Sequence, residues 1–170
     1  MTRQYCTFFL NKIYFGIDVL QVQEVIDLTQ ITPVPLAPID ILGLINLRGK
    51  IVTVIDIKSR LEMKNYTNNL NLESKYNIIL NNNLELVGLI VDEVGDVVEV
   101  TESEFEPPPA TLKGKMRSIL HGAYKLQDKF LLILDIDKLL TPTYYEQSTT
   151  TNSNSTKSIE RRRFYSSFTS

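Results

Sequence analysis

The chain holds one cysteine, one histidine and no tryptophan in 170 residues. A lone Cys6 cannot close an internal disulfide, which suits a reducing compartment. It sits in an apolar run, Tyr5-Cys6-Thr7-Phe8-Phe9-Leu10, and reads as a buried, inert thiol rather than a nucleophile. With His121 as the only imidazole, a His-based triad or a Cys/His metal site has almost no raw material. His121 itself, followed by Gly122, reads as a surface or strand-edge residue. No phosphate-binding loop or nucleophile elbow is present, so neither a cofactor nor a metal is expected. No apolar run approaches the roughly 20 residues of a membrane helix. The opening Met1-Thr2-Arg3-Gln4-Tyr5 lacks the apolar core of a signal peptide. The expectation is a cytoplasmic protein.

Charge of one sign is scarce overall, at −2, but it is unevenly spread. Residues Gln147–Ser170 hold Lys157, Arg161, Arg162 and Arg163 against Glu160, so the remainder carries 14 basic and 19 acidic residues. An acidic body argues against a nucleic-acid partner, whose affinity rests on neutralised phosphates. The same closing segment is half Ser and Thr, 12 of 24 residues. With so little to bury, it reads as a disordered tail following a single domain over 1–146.

What the chain does have is short apolar runs punctuated by turn residues. Residues 5–10 and 12–18 read as a hairpin about Asn11-Lys12. Val19–Glu24 reads as a short helical turn that slides into a strand at Val25-Ile26-Asp27. Pro33, Pro35 and Pro38 force an extended connector. Leu44–Leu47 and Ile51–Ile55 flank a corner at Arg48-Gly49, and Ile57–Glu62 gives a single helical turn. The Asn-rich stretch 63–75 reads as a surface loop between two similar β-rich halves. Tyr76–Leu80 and Leu84–Val91 then form strands about Asn81-Asn82-Asn83. Asp92–Glu106 carries seven carboxylates interleaved with valines, which suits a strand with one wet face. Residues 107–115 read as a loop, Ile119–Tyr124 and Phe130–Ile136 as a last hairpin, and Asp137 as the cap of a short closing helix. Eight to ten short strands with little helix indicate a small barrel or sandwich.

Two clusters invite a functional reading. Arg48, beside the amide of Asn46, is a long cation held up on a tight turn next to an apolar strand. Such an arginine suits recognition of a carboxylate or carbonyl, although a solvated arginine in an ordinary turn fits the same residues. Asp92 and Glu93, with Asp96 and Glu99, are the best candidates for carboxylate-dependent hydrolysis. The plainer alternative is a solvated strand face.

Several segments carry a resemblance. Tyr14–Val25, Ile31-Thr32-Pro33-Val34-Pro35, Gly43-Leu44-Ile45-Asn46-Leu47-Arg48-Gly49 and Val54–Ile57 resemble, in this order, the CheW family of bacterial chemotaxis coupling proteins. Val87–Val94 and Leu132–Leu140 extend the match to roughly residues 5–141. The resemblance implies a mainly β fold of two small five-stranded, SH3-like β-barrels packed on a shared hydrophobic core, with few short helices. It implies a non-enzymatic adaptor joining the cytoplasmic tips of chemoreceptors to the regulatory domain of a CheA-type histidine kinase. Outputs through type IV pili or phototaxis fit it as well as flagellar chemotaxis. It places Glu24, Gly43, Asn46 and Arg48 in a receptor-binding groove and Val19 and Val22 on a kinase-facing surface. It also marks Tyr76-Asn77 as a departure, since the family tends to be aliphatic there.

Overall fold

The computed structural model describes residues 1–63, 75–83 and 85–141. The Asn-rich loop, apart from Met63 and Lys75, and the whole tail from Gln147 lie outside the described residues. The strands in chain order are β1 (Thr2–Leu10), β2 (Ile13–Asp18), β3 (Val22–Asp27), β4 (Ile41–Leu47), β5 (Lys50–Asp56), β6 (Tyr76–Asn82), β7 (Glu85–Val91), β8 (Glu93–Thr101), β9 (Phe105–Glu106), β10 (Leu120–Lys125) and β11 (Phe130–Leu134). Among the described residues three short helices accompany them: α1 (Ile57–Arg60), α2 (Gly114–Ile119) and α3 (Ile136–Leu140).

The strands form two sheets, ordered β8-β1-β2-β11-β10-β9 and β3-β6-β7-β5-β4. The first has six strands rather than the expected five. The sixth, β9, is two residues long and follows β8 through the 3-10 turn Glu102–Glu104, so one bent stretch supplies both edges and closes the sheet on itself. The halves expected on either side of the Asn-rich loop do not correspond to the sheets. The parallel pairs β2–β11 and β5–β7 place strands from both halves in each sheet. The stretch from Tyr76 therefore shares a sheet with the Arg48 hairpin.

Side-chain alternation sorts the core into layers. Tyr5, Tyr14, Val100, Tyr124, Leu131 and Ile133 fill the interior of the six-stranded sheet. Ile45, Val52, Val54, Ile79 and Ile90 fill that of the five-stranded sheet. The opposite faces are buried too: Phe8, Leu10, Phe15 and Ile17 on one sheet, and Ile55, Ile78, Leu80 and Leu89 on the other, are all fully buried. With β1 lying against β7, these faces form the seam between the sheets. Each such side chain contributes about 1.5–3 kcal/mol on burial. Cys6 is buried here, and burial pushes its thiol pKa up, as suits an inert group.

Local chemistry explains the turns. Asn11 and Lys12 both have positive φ, 47° and 66°, the two-residue hairpin geometry that matches strand twist. Asp18 accepts from the Leu20 N–H at 2.9 Å and caps a 3-10 turn, Val19–Gln21. The strand resumes at Val22, not Val25, so Val22 belongs to β3 rather than to a helical face. The helix α3 is capped by Asp135, whose Oδ1 accepts from the Lys138 N–H at 3.1 Å, and not by Asp137 as expected. Helix α2 occupies part of the expected loop. Ile119 is its one buried residue, so it leaves almost no apolar periodicity in the sequence.

Candidate functional site

The β4–β5 hairpin turns through Arg48 (φ 51°) and Gly49 (φ 83°). Both are left-handed, a conformation natural for glycine and strained for arginine. The turn is fastened from within, because Asn46 Oδ1 accepts from the Gly49 N–H at 2.8 Å. The amide expected to flank Arg48 at a groove is thus also the device that fixes the corner.

From that corner Arg48 crosses to β3. Its Nη2 donates to Glu24 Oε1, and Gln23 Nε2 donates to the same oxygen at 3.4 Å. β3 and β4 are the two edges of the five-stranded sheet. Ile26 and Leu28, on and after β3, and Leu42 and Leu47 on β4 all pack on one core cluster. The Glu24–Arg48 pair therefore spans the open side of this barrel. The hydrogen bond from Arg48 holds the Glu24 carboxyl below its ordinary value against a weaker opposing effect of burial, and Glu24 raises the Arg48 pKa in return. The Arg48 side chain stays 67% exposed while bonded to Glu24. A guanidinium carries five donors, so it can bridge Glu24 to a second acceptor from a partner.

Gly43 has a different part. A Cβ there would lie 2.2 Å from the Thr32 carbonyl oxygen. Its φ of 146° accompanies a register shift between Ile41 and Gly43 in the β4–β5 ladder. The missing side chain admits the proline connector, whose Thr32 exchanges two backbone hydrogen bonds with Leu44, both 2.8 Å. Gly43 thus shapes the edge of β4 beneath Thr32 instead of projecting a group.

Val19 and Val22 are half-buried, on the 3-10 turn and at the head of β3. The exposed apolar residue between them is Leu20, at 91%, which a helical reading of Val19–Glu24 hides. Leu36 and Ile39 on the proline connector were also missed, and both are exposed. Leu36 occupies the third position of a turn closed by the Ala37 N–H on the Val34 carbonyl (3.3 Å), with φ 62°. Glycine or asparagine is the usual signal for that conformation, so nothing in the sequence flags it.

The carboxylate cluster does not converge. Asp92 accepts from Lys58 Nζ and Lys75 Nζ, each at 2.6 Å, and from the Asn11 N–H at 2.8 Å. Burial pushes the Asp92 carboxyl up, but the two lysines and the Asn11 amide outweigh it and hold the pKa below the ordinary value. A general acid needs the opposite shift. Asp92 is instead a tie between the β1–β2 turn, α1 and the junction of β7 and β8. Glu93 is exposed on β8. Among the described residues no group of three His, Cys, Asp or Glu could hold a metal ion, and no helix is long and apolar enough to cross a membrane.

Fold and site together define a two-barrel β scaffold that presents a latched, charged hairpin. The chain belongs to the CheW-like domain family, whose sequence model matches residues 4–143. It is similar to the chemotaxis protein CheW of Treponema pallidum, at 30% identity over 143 residues, covering 81% of this chain and 82% of that protein. It is also similar to the CheW of Bacillus subtilis, at 34% identity over 133 residues, covering 78% and 83%. Among solved structures it resembles the scaffolding protein TtCheW of Thermoanaerobacter tengcongensis. That match has a TM-score of 0.72 and 32% identity, and covers 84% of this chain and 90% of the other.

Proposed function

We propose that this chain is a non-enzymatic chemotaxis adaptor that couples the cytoplasmic tip of a chemoreceptor to a CheA-type histidine kinase, in the cytoplasm beside a receptor array. The observation that carries this reading is the Arg48 hairpin, latched to Glu24 with most of its guanidinium side chain still exposed. A receptor helix bearing a carboxylate or a free carbonyl can meet that fork while its apolar side chains cover neighbouring surface such as Ile51, 40% exposed. Asn46 and Gly43 support the site through the backbone, and Glu24 orients the cation. The kinase contact is assigned to the 3-10 turn and the head of β3, where Val19 and Val22 flank the exposed Leu20. Two modest contacts on one rigid scaffold gain strength in an array through effective concentration.

The test is a paired pull-down with receptor-tip fragments and with the kinase regulatory domain. Arg48→Ala loses receptor binding and keeps the kinase, while Leu20→Asp with Val22→Asp does the reverse. Unchanged receptor binding by folded Arg48→Ala overturns the assignment.

A further inference from the structure

The ladder between β3 and β6 shifts register at Gln23. Val22 faces Leu80 and Glu24 faces Ile79, so Gln23 is an extra residue with no counterpart on β6. Residues paired across a ladder share a face of the sheet. Leu80 is fully buried on the seam face, whereas Ile79 belongs to the interior cluster. Val22 and Glu24 therefore lie on opposite faces, although regular alternation would put them on the same one. Bulges on edge strands re-aim side chains in this way. The shift turns Glu24 to the open side of the barrel, where Arg48 reaches it, and sets the Gln23 amide alongside.

Both donors use one carboxylate oxygen. Arg48 Nη2 and Gln23 Nε2 donate to Glu24 Oε1, the latter at 3.4 Å. An ionised carboxylate has about four acceptor positions on its two oxygens. Glu24 Oε2 has no partner among the described residues. Arg48 has no other hydrogen-bond partner among them either, and its side chain stays 67% exposed. The latch thus presents an unspent donor fork beside an unspent acceptor oxygen.

Three kinds of partner group meet this pair differently. A carboxylate fits Arg48 but sets its own charge against Oε2. An ammonium fits Oε2 but is repelled by Arg48. A carboxamide satisfies both, because its carbonyl accepts from Arg48 while its NH2 donates to Oε2. A contact that desolvates either group without matching it loses affinity, so the pair discriminates against both charged alternatives.

We infer that the receptor group received by the Glu24–Arg48 latch is a neutral carboxamide, the side chain of an Asn or Gln on the receptor helix. This rests on the assignment of the receptor contact to Arg48. Gln23 has a part in the choice, because it shares Oε1 with Arg48 and leaves Oε2 to the partner.

Calorimetric titration of the full chain with a chemoreceptor tip fragment that binds it tests this. Glu24→Gln is isosteric and replaces an acceptor oxygen by a donor. It weakens binding about fivefold or more. A carboxylate partner reverses the sign, since the repelling charge is gone and a donor stands in its place, so unchanged or tighter binding overturns the proposal. The fragment is then scanned, each Asn changed to Asp and each Gln to Glu in turn. One position loses about fivefold or more against the wild-type chain and is restored against Glu24→Gln, because amide and carboxylate have exchanged sides. The absence of any such position overturns the carboxamide even where Arg48→Ala abolishes binding. Full binding by a folded Arg48→Ala instead overturns the receptor assignment itself, and the carboxamide with it.

Discussion

Arg60 Nε donates to Asp40 Oδ2 at 2.6 Å, and the same guanidinium reaches the Leu139 carbonyl through Nη1 at 3.0 Å. The Arg60 side chain is 3% exposed and that of Asp40 12%. One cation thus ties α1, the end of the proline connector and α3 together. The connector is held at its other end by the Thr32–Leu44 bridge, so its exposed Leu36 and Ile39 sit on a fixed frame. Removing one partner of a buried pair leaves the other uncompensated, at about 3–5 kcal/mol. Arg60→Ala is therefore expected to lower the unfolding free energy by about that much in denaturant titration. A loss under 1 kcal/mol would show that water reaches the pair.

Asp92 makes stability depend on acid. Its folded pKa is held low by Lys58, Lys75 and the Asn11 amide against the effect of burial, whereas an unfolded aspartate titrates at about 3.9. Its contribution is complete above that unfolded value and is lost as pH falls towards the depressed folded value. The wild-type protein should lose stability progressively below roughly pH 5. Asp92→Asn leaves two shielded ammonium groups unpaired. It should cost about 3 kcal/mol at neutral pH, the low end for a buried pair because the carboxylate is partly exposed, and it should flatten the acid limb. A parallel acid limb in the variant excludes Asp92 as its source.

Buried Asn77 is an expense inside the five-stranded barrel. Both Nδ2 and Oδ1 lack a hydrogen-bond partner among the described residues, and the residue is fully buried. Gly88 leaves the room it occupies, since a Cβ there would lie 2.3 Å from Asn77 Oδ1. An unsatisfied buried polar group costs about 1–3 kcal/mol. Asn77→Val, a strand-favouring residue of smaller volume, is expected to raise the unfolding free energy in denaturant titration by an amount in that range. Destabilisation instead would mean that the amide holds a specific bonding role in solution.

Local features were legible from local chemistry. Asn11-Lys12 marks a turn by residue type, and the β-branched run 51–55 marks a buried strand. Sheet membership was not, because each sheet depends on a pairing between distant segments: Gly16 with Ile133, and Val54 with Gly88. No periodicity within either segment records its partner. The site divides the same way. Arg48 stood out as a cation on a tight turn, and resemblance set Glu24 near it. The latch itself exists only because β3 and β4 become opposite edges of one curled sheet. Leu20 stayed hidden because a 3-10 turn points its middle residue outward, where a helical count turns it sideways. Asn46 was placed in the groove by the resemblance, whereas the Gly49 N–H it receives can be seen only in three dimensions.

That bond gives the last prediction. The proposed receptor contact requires Arg48 to project from a left-handed corner, and Asn46 is the side chain that fastens it. Asn46→Ala removes the acceptor and should cost about 0.5–1.5 kcal/mol of stability, the value of one such bond. It should also weaken receptor-tip binding several-fold without touching the receptor. Asn46→Asp keeps an acceptor in the same place and should restore most of the affinity, which a general loss of stability would not allow. The effect must also vanish in an Arg48→Ala background, because a residue that acts only by positioning another has nothing left to position. Additive losses in the double variant would instead place Asn46 in direct contact with the partner.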